Sequence, residues 1–92
     1  MEWYRFIIFG SVQGVYYRKS VSQALMKKQF KGYIRNLSDG TVEVVAEIFD
    51  EDFDTFMKIL QEGSLLSSVE DIKHEILDDA EFNTDGFEVR YE

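Results

Sequence analysis

The sequence predicts an α+β sandwich, an antiparallel sheet with two helices packed on one of its faces. Three observations predict it. Strand-like alternation recurs four times, with a short fifth stretch near the end. Two amphipathic stretches with helical spacing lie between those strands, and a tight turn joins the strands that separate them. The order is therefore strand, helix, strand, strand, helix, strand, then a short terminal strand. A hairpin between two amphipathic helices brings both to one face of a sheet.

Trp3 to Phe9 is rich in aromatic and β-branched residues, which suit a pleated surface. Tyr4, Phe6 and Ile8 fall on one side and Trp3, Ile7 and Phe9 on the other, so this strand reads as central. Lys19 to about Phe30 reads as the first helix, with Tyr17, Val21, Ala24 and Leu25 on its inner side. Lys31-Gly32 is expected to close it, glycine being the usual terminating residue. The second strand runs from about Tyr33 to Leu37, and Ser38-Asp39-Gly40 is a hairpin turn. In the third strand, Val42, Val44, Ala46 and Ile48 alternate against Thr41, Glu43, Val45 and Glu47. The second helix starts near Asp50, carries Phe53, Phe56, Met57 and Leu60 on one stripe, and ends at Gly63. Val69 to Leu77 is a fourth, less regular strand; Gly86 to Tyr91 is a short fifth.

Ninety-two residues make one modest core, so residues 1–92 read as a single domain. No apolar run approaches the roughly 20 residues that span a bilayer, and the N-terminus lacks the pattern of a secretory leader. There is no cysteine, hence neither disulfide nor thiolate metal site. The expected location is cytoplasmic. A net charge of −8 repels nucleic acid and anionic membranes. It repels phosphate at long range too, so any anion must be held by short-range donors in a local pocket.

One stretch offers such donors: Gly10-Ser11-Val12-Gln13-Gly14-Val15-Tyr16-Tyr17-Arg18, between the first strand and the first helix. Gly10 and Gly14 are read as allowing tight turns. Successive N–H groups in a turn can converge on an anion, and the helix N-terminus adds partial positive charge. Arg18 is poorly placed against that dipole unless an anion sits between them, and its planar fork matches phosphate oxygens. The generic phosphate motifs do not fit. Val15-Tyr16 stand where a P-loop needs Lys and Ser/Thr, and G-x-G-x-x-G is absent. A phosphocysteine loop is impossible without cysteine.

A second stretch, Gly32-Tyr33-Ile34-Arg35-Asn36-Leu37-Ser38-Asp39-Gly40-Thr41-Val42-Glu43, completes the pattern. Together G-x-V-Q-G-V-x-x-R and G-Y-I-R-N-x-x-D-G-x-V-E closely resemble the two signatures of the acylphosphatase family, in their order and separation. The resemblance spans nearly the whole chain and implies a ferredoxin-like fold. It implies hydrolysis of an acyl phosphate to a carboxylate and inorganic phosphate. In that scheme the backbone N–H groups of Val12, Gln13, Gly14, Val15, Tyr16 and Tyr17, with Arg18, bind the phosphate. Asn36 positions the attacking water. The implied partners are the acyl phosphate and inorganic phosphate or a similar anion. No metal or cofactor, nucleic acid or membrane is implied, and the chain is expected to act as a monomer. Three departures from the family pattern stand out. Ile48 occupies a place where glycine is common, Gly63-Ser64 lacks a following proline, and Tyr17 replaces the usual phenylalanine, adding a hydroxyl that needs a partner.

Other features have plain explanations. Tyr16 reads as a loop rim and Tyr17 as core. His74, the single histidine, shares parity with Ile72 and Ile76 and reads as structural. Asp50-Glu51-Asp52 suits a helix start, and Asp78-Asp79 a solvated turn; neither has calcium-loop spacing. Lys31-Gly32-Tyr33 opens like an RNA-recognition motif, but Ile34, Arg35 and the charge break that pattern. The alternative to an enzyme is a ferredoxin-like anion-binding or regulatory module without turnover.

Overall fold

The computed structural model describes residues 1–78, 82 and 84–91. In chain order the elements are β1 (Glu2–Ser11), α1 (Tyr17–Lys27), β2 (Lys31–Asn36), β3 (Val42–Ile48), a 3-10 turn (Asp50–Asp52), α2 (Phe53–Glu62), β4 (Ser68–Ile76) and β5 (Phe87–Val89). The sheet order is β4-β1-β3-β2-β5. This is the expected α+β architecture with one correction to the sheet. β5 pairs with β2 in parallel, so the sheet is mixed rather than wholly antiparallel. The reason is topological: β4 and β5 occupy opposite edges, so no tight turn joins them, and β5 enters running with β2.

Alternation sets the two faces. Tyr4, Phe6 and Ile8 of β1 sit opposite Ala46, Val44 and Val42 of β3, all buried. Both helices close over this side: Tyr17, Val21 and Leu25 of α1 join Phe56 and Leu60 of α2 in one core with those strands. β1 is interior, as its two apolar sides suggested, but β3 is the middle strand. Ile48 fills a core position with no exposure, which explains why a glycine is not needed there. Phe53 and Met57 flank the α2 stripe, partly buried. His74 is exposed; its ring lies 5.3 Å from that of Phe53, at the edge of the core.

The outer face is polar at its centre. Arg5 Nε and Arg35 Nε each approach a different carboxylate oxygen of Glu43 at 2.6 Å. Burial pushes the Glu43 carboxyl up, but hydrogen bonds and charge from the two guanidinium groups outweigh it and hold the group below its usual range. Phe82, from the segment between β4 and β5, covers part of this face, its ring 5.0 Å from Trp3 and 6.0 Å from Tyr33. Asp79 of the acidic pair falls outside the described residues.

Two expectations about α1 need correction. The helix begins at Tyr17, not Lys19, and ends at Lys27, not Phe30. Its C-terminus closes by a Schellman motif: the Phe30 N–H donates to the Leu25 carbonyl at 3.1 Å and the Gln29 N–H to Met26 at 3.0 Å. Gln29, at φ 64, takes the left-handed position assigned to Gly32. Gly32 belongs to β2, where a Cβ would fall 1.9 Å from the Val45 carbonyl. Its absence of a side chain is a strand-pairing requirement. Likewise Gly10 lies within β1 beside the register shift against β4, with the Ser68 carbonyl 2.1 Å from where its Cβ would be.

Two stability predictions follow from these contacts. Gln29→Gly relieves a left-handed non-glycine residue and should raise unfolding free energy by about 0.5–1 kcal/mol in urea titration. Glu43→Gln should lower it by about 2 kcal/mol. That is less than the roughly 3–5 kcal/mol of a fully buried pair, because each guanidinium keeps 36% of its side-chain surface in water. Glu43 has a folded pKa below its unfolded one, so its contribution is present above the ordinary value of 4.5. It is lost as pH falls through the folded value. The wild-type advantage over Glu43→Gln should therefore be full at pH 6 and shrink under acid conditions.

Candidate active site

β1 delivers the chain at Ser11 into a loop, residues 12–16, that returns directly as α1. Four hydrogen bonds from three side chains fix this loop. Gln13 Nε2 donates to the Leu37 and Thr41 carbonyls, both at 2.8 Å, tying the loop to the β2–β3 hairpin. Ser64 Oγ donates to the Val15 carbonyl at 2.6 Å, tying it to the turn after α2. The Tyr17 hydroxyl donates to the Leu60 carbonyl at 2.7 Å. Tyr17 is core, as expected, and its extra hydroxyl satisfies a carbonyl in the last turn of α2. Burial pushes its pKa up, so it remains a donor.

With the loop held through carbonyls and side chains, its N–H groups are left over. None of the N–H groups from Val12 to Tyr17 donates to a carbonyl or side chain of the described residues. Gly14 (φ 73) and Tyr16 (φ 63, ψ 18) are both left-handed, and Tyr16 leads straight into the helix. A left-handed residue followed by a right-handed one aims successive N–H groups into a common concavity. A tyrosine in that conformation carries strain of the kind found where the surroundings impose a functional geometry. Tyr16 is 67% exposed, a rim residue as expected.

The concavity is one end of a cleft of about 580 Å³. Val12, Gly14, Tyr16, Tyr17, Arg18 and Asn36 all line it, so the two anticipated site stretches, 12–18 and Asn36, meet. Gln13 and Val15 support the loop by the bonds above rather than lining the cleft. Arg18, the second residue of α1, has no carboxylate partner among the described residues. Its guanidinium lies 4.6 Å over the Tyr91 ring, and Nη1 donates to the Arg90 carbonyl at 3.4 Å. Asn36 ends β2; its Oδ1 is buried and has no hydrogen-bond partner among the described residues. Lys19 also lines the cleft, and among the described residues no Asp or Glu does. Lys19, Ser22, Gln23, Met26, Val89 and Tyr91 line it as well and were not anticipated. The signal for the helical ones was the i, i+4 spacing running from Arg18; Tyr91 is remote in sequence and had none. Among the described residues, no group of His, Asp and Glu is placed to hold a metal ion.

The fold is that of a ferredoxin-like α+β protein. A model of the acylphosphatase family matches residues 4–89. An acylphosphatase of Bacillus licheniformis is 44% identical over 72 residues, 78% of this chain and 80% of the relative. One from Haloarcula marismortui is 40% identical over 84 residues, 91% of this chain and 90% of the relative. The crystal structure of acylphosphatase from Bacillus subtilis superposes with a TM-score of 0.89 at 33% identity, covering 99% of this chain and 100% of that one. The chain belongs to the acylphosphatase family, and its activity is that of an acylphosphatase.

Removal of the Tyr17 hydroxyl tests the clamp on the loop. Tyr17→Phe strands the buried Leu60 carbonyl and should cost about 1 kcal/mol of unfolding free energy, read from the urea midpoint.

Proposed function

We propose that the phosphoryl group of the acyl phosphate is held by the N–H groups of Val12 to Tyr17 and the guanidinium of Arg18, and that Asn36 holds the attacking water. One observation carries the reading. The buried amide oxygen of Asn36, without a hydrogen-bond partner among the described residues, belongs to the same cleft lining as Arg18, which has no carboxylate partner among them, and as Val12, Gly14, Tyr16 and Tyr17, whose N–H groups are unbonded. Buried polar atoms are nearly always satisfied, so such an acceptor suits a bound donor.

The chemistry asks little more. Phosphoryl transfer is catalysed mainly by positioning and by stabilising charge on the phosphoryl oxygens. Fixed N–H groups and a guanidinium do the second. Water, donating one proton to Asn36 Oδ1, attacks phosphorus in line with the carboxylate leaving group. The P–O bond to the acyl group breaks, the carboxylate departs with the electron pair, and a phosphoryl oxygen takes the proton from water. The leaving group is already stable as an anion, so a strong general base is unnecessary. Every group comes from one chain, which suits a monomer acting as a single domain over residues 1–92. A chain without cysteine suits the cytoplasm. A non-catalytic anion-binding module would explain Arg18 and the loop, but it gives the orphan acceptor of Asn36 no purpose.

The two side chains should separate in kinetics with benzoyl phosphate. Arg18→Ala should lower kcat/KM by roughly 10³-fold and abolish competitive inhibition by inorganic phosphate. Asn36→Ala should lower kcat by roughly 10²-fold while the inhibition constant of phosphate stays within about twofold. Parent turnover in Asn36→Ala would remove the water-holding role.

A further inference from the structure

Resting on that reading of the site, we infer that the acyl group of the substrate lies along α1, in the groove between that helix and the segment after β5. In this placement Met26 is a specificity-determining residue that favours bulky apolar acyl groups. The phosphoryl site occupies only one end of the cleft. At about 580 Å³ the cleft lies in the range of sites that bury a whole small organic ligand. Its remaining length follows Arg18, Ser22 and Met26, spaced one turn apart, with Lys19 and Gln23 alongside. From Arg18 to Met26 is eight residues, about 12 Å of helix. Val89 and Tyr91 form the opposite wall.

The distribution of exposed apolar side chains marks this groove. Tyr16 is 67% exposed, Met26 46% and Tyr91 76%, and all three converge on the one cleft. Met26 takes no part in the core, and its own helix is otherwise polar toward solvent. An apolar side chain left wet beside a polar, cationic phosphate end gives a cleft with two chemistries in sequence. An acyl phosphate has the same two parts, joined by the bond that is cut. Seating the acyl part here buries Met26 and the Tyr91 ring against it and leaves the carboxylate oxygens near Arg18 and Lys19. Tyr91 also touches Arg18, so changing it would disturb both ends. Met26 affects only the acyl end and is the diagnostic position.

The test is the ratio of kcat/KM for benzoyl phosphate to that for acetyl phosphate, which cancels effects on the shared phosphoryl group. The wild-type ratio should exceed about 10. Met26→Gln, neutral and similar in length, should lower it about five- to tenfold, as expected for loss of one apolar contact in a pocket. Met26→Leu should restore it to within about twofold. Ile76→Gln, at the opposite end of the sheet and 49% exposed, should leave it unchanged. An unaltered ratio in Met26→Gln, with Arg18→Ala still strongly impaired on both substrates, would overturn the acyl placement and leave the phosphoryl site intact. Equal activity of Arg18→Ala and the parent on both substrates would overturn the phosphoryl site and the acyl placement with it.

Discussion

A run of backbone N–H groups with no acceptor among the described residues is the constraint from which this molecule is best understood. Such groups, left without a partner where water is excluded, are costly. From Val12 to Tyr17 they are unbonded among the described residues, and the loop that carries them is nevertheless pinned at three points. Each pin uses a side chain or a carbonyl: Gln13 reaches the hairpin, Ser64 reaches Val15, and Tyr17 reaches Leu60. The loop is thus fixed without consuming its donors. A flexible loop would lose this geometry to entropy each time an anion arrived.

The rest of the fold places charge around that loop. With a net −8, the chain's general field opposes an anionic ligand. Among the described residues the cleft is lined by Arg18 and Lys19 and by no carboxylate, so attraction is confined to contact range. On the outer face of the sheet the polarity is reversed: two arginines are committed to Glu43 and do not compete for anions. β2 links the two sides. It supplies Arg35 outward to Glu43, and one residue later ends at Asn36 on the cleft wall. Alternation along a strand makes that division possible.

Much of this was legible before any coordinates. The strict alternation from Val42 to Ile48 and the stripe of Phe53, Phe56, Met57 and Leu60 specify their elements because burial reads one face at a time. Arg18 and Asn36 could be paired only through the joint resemblance of their motifs, since neither residue type is specific alone. The ends of α1 were misplaced for a physical reason. Tyr16 and Gln29 hold left-handed conformations that propensity assigns to glycine, so the glycine at 32 drew a role it does not have. The parallel pairing of β5 and the approach of Tyr91 to Arg18 depend on tertiary closure across the sheet, which no local pattern encodes. Ser64 as an anchor was hidden likewise, 49 residues from the carbonyl it holds.

The central claim, that the unbonded amides of the loop receive a tetrahedral dianion, can be tested residue by residue. Backbone ¹H–¹⁵N correlation spectra recorded during titration with inorganic phosphate should show saturable downfield proton shifts for residues 12–17, with one common dissociation constant. Shifts confined to other parts of the chain, or a loop that does not respond at saturating phosphate, would contradict the account.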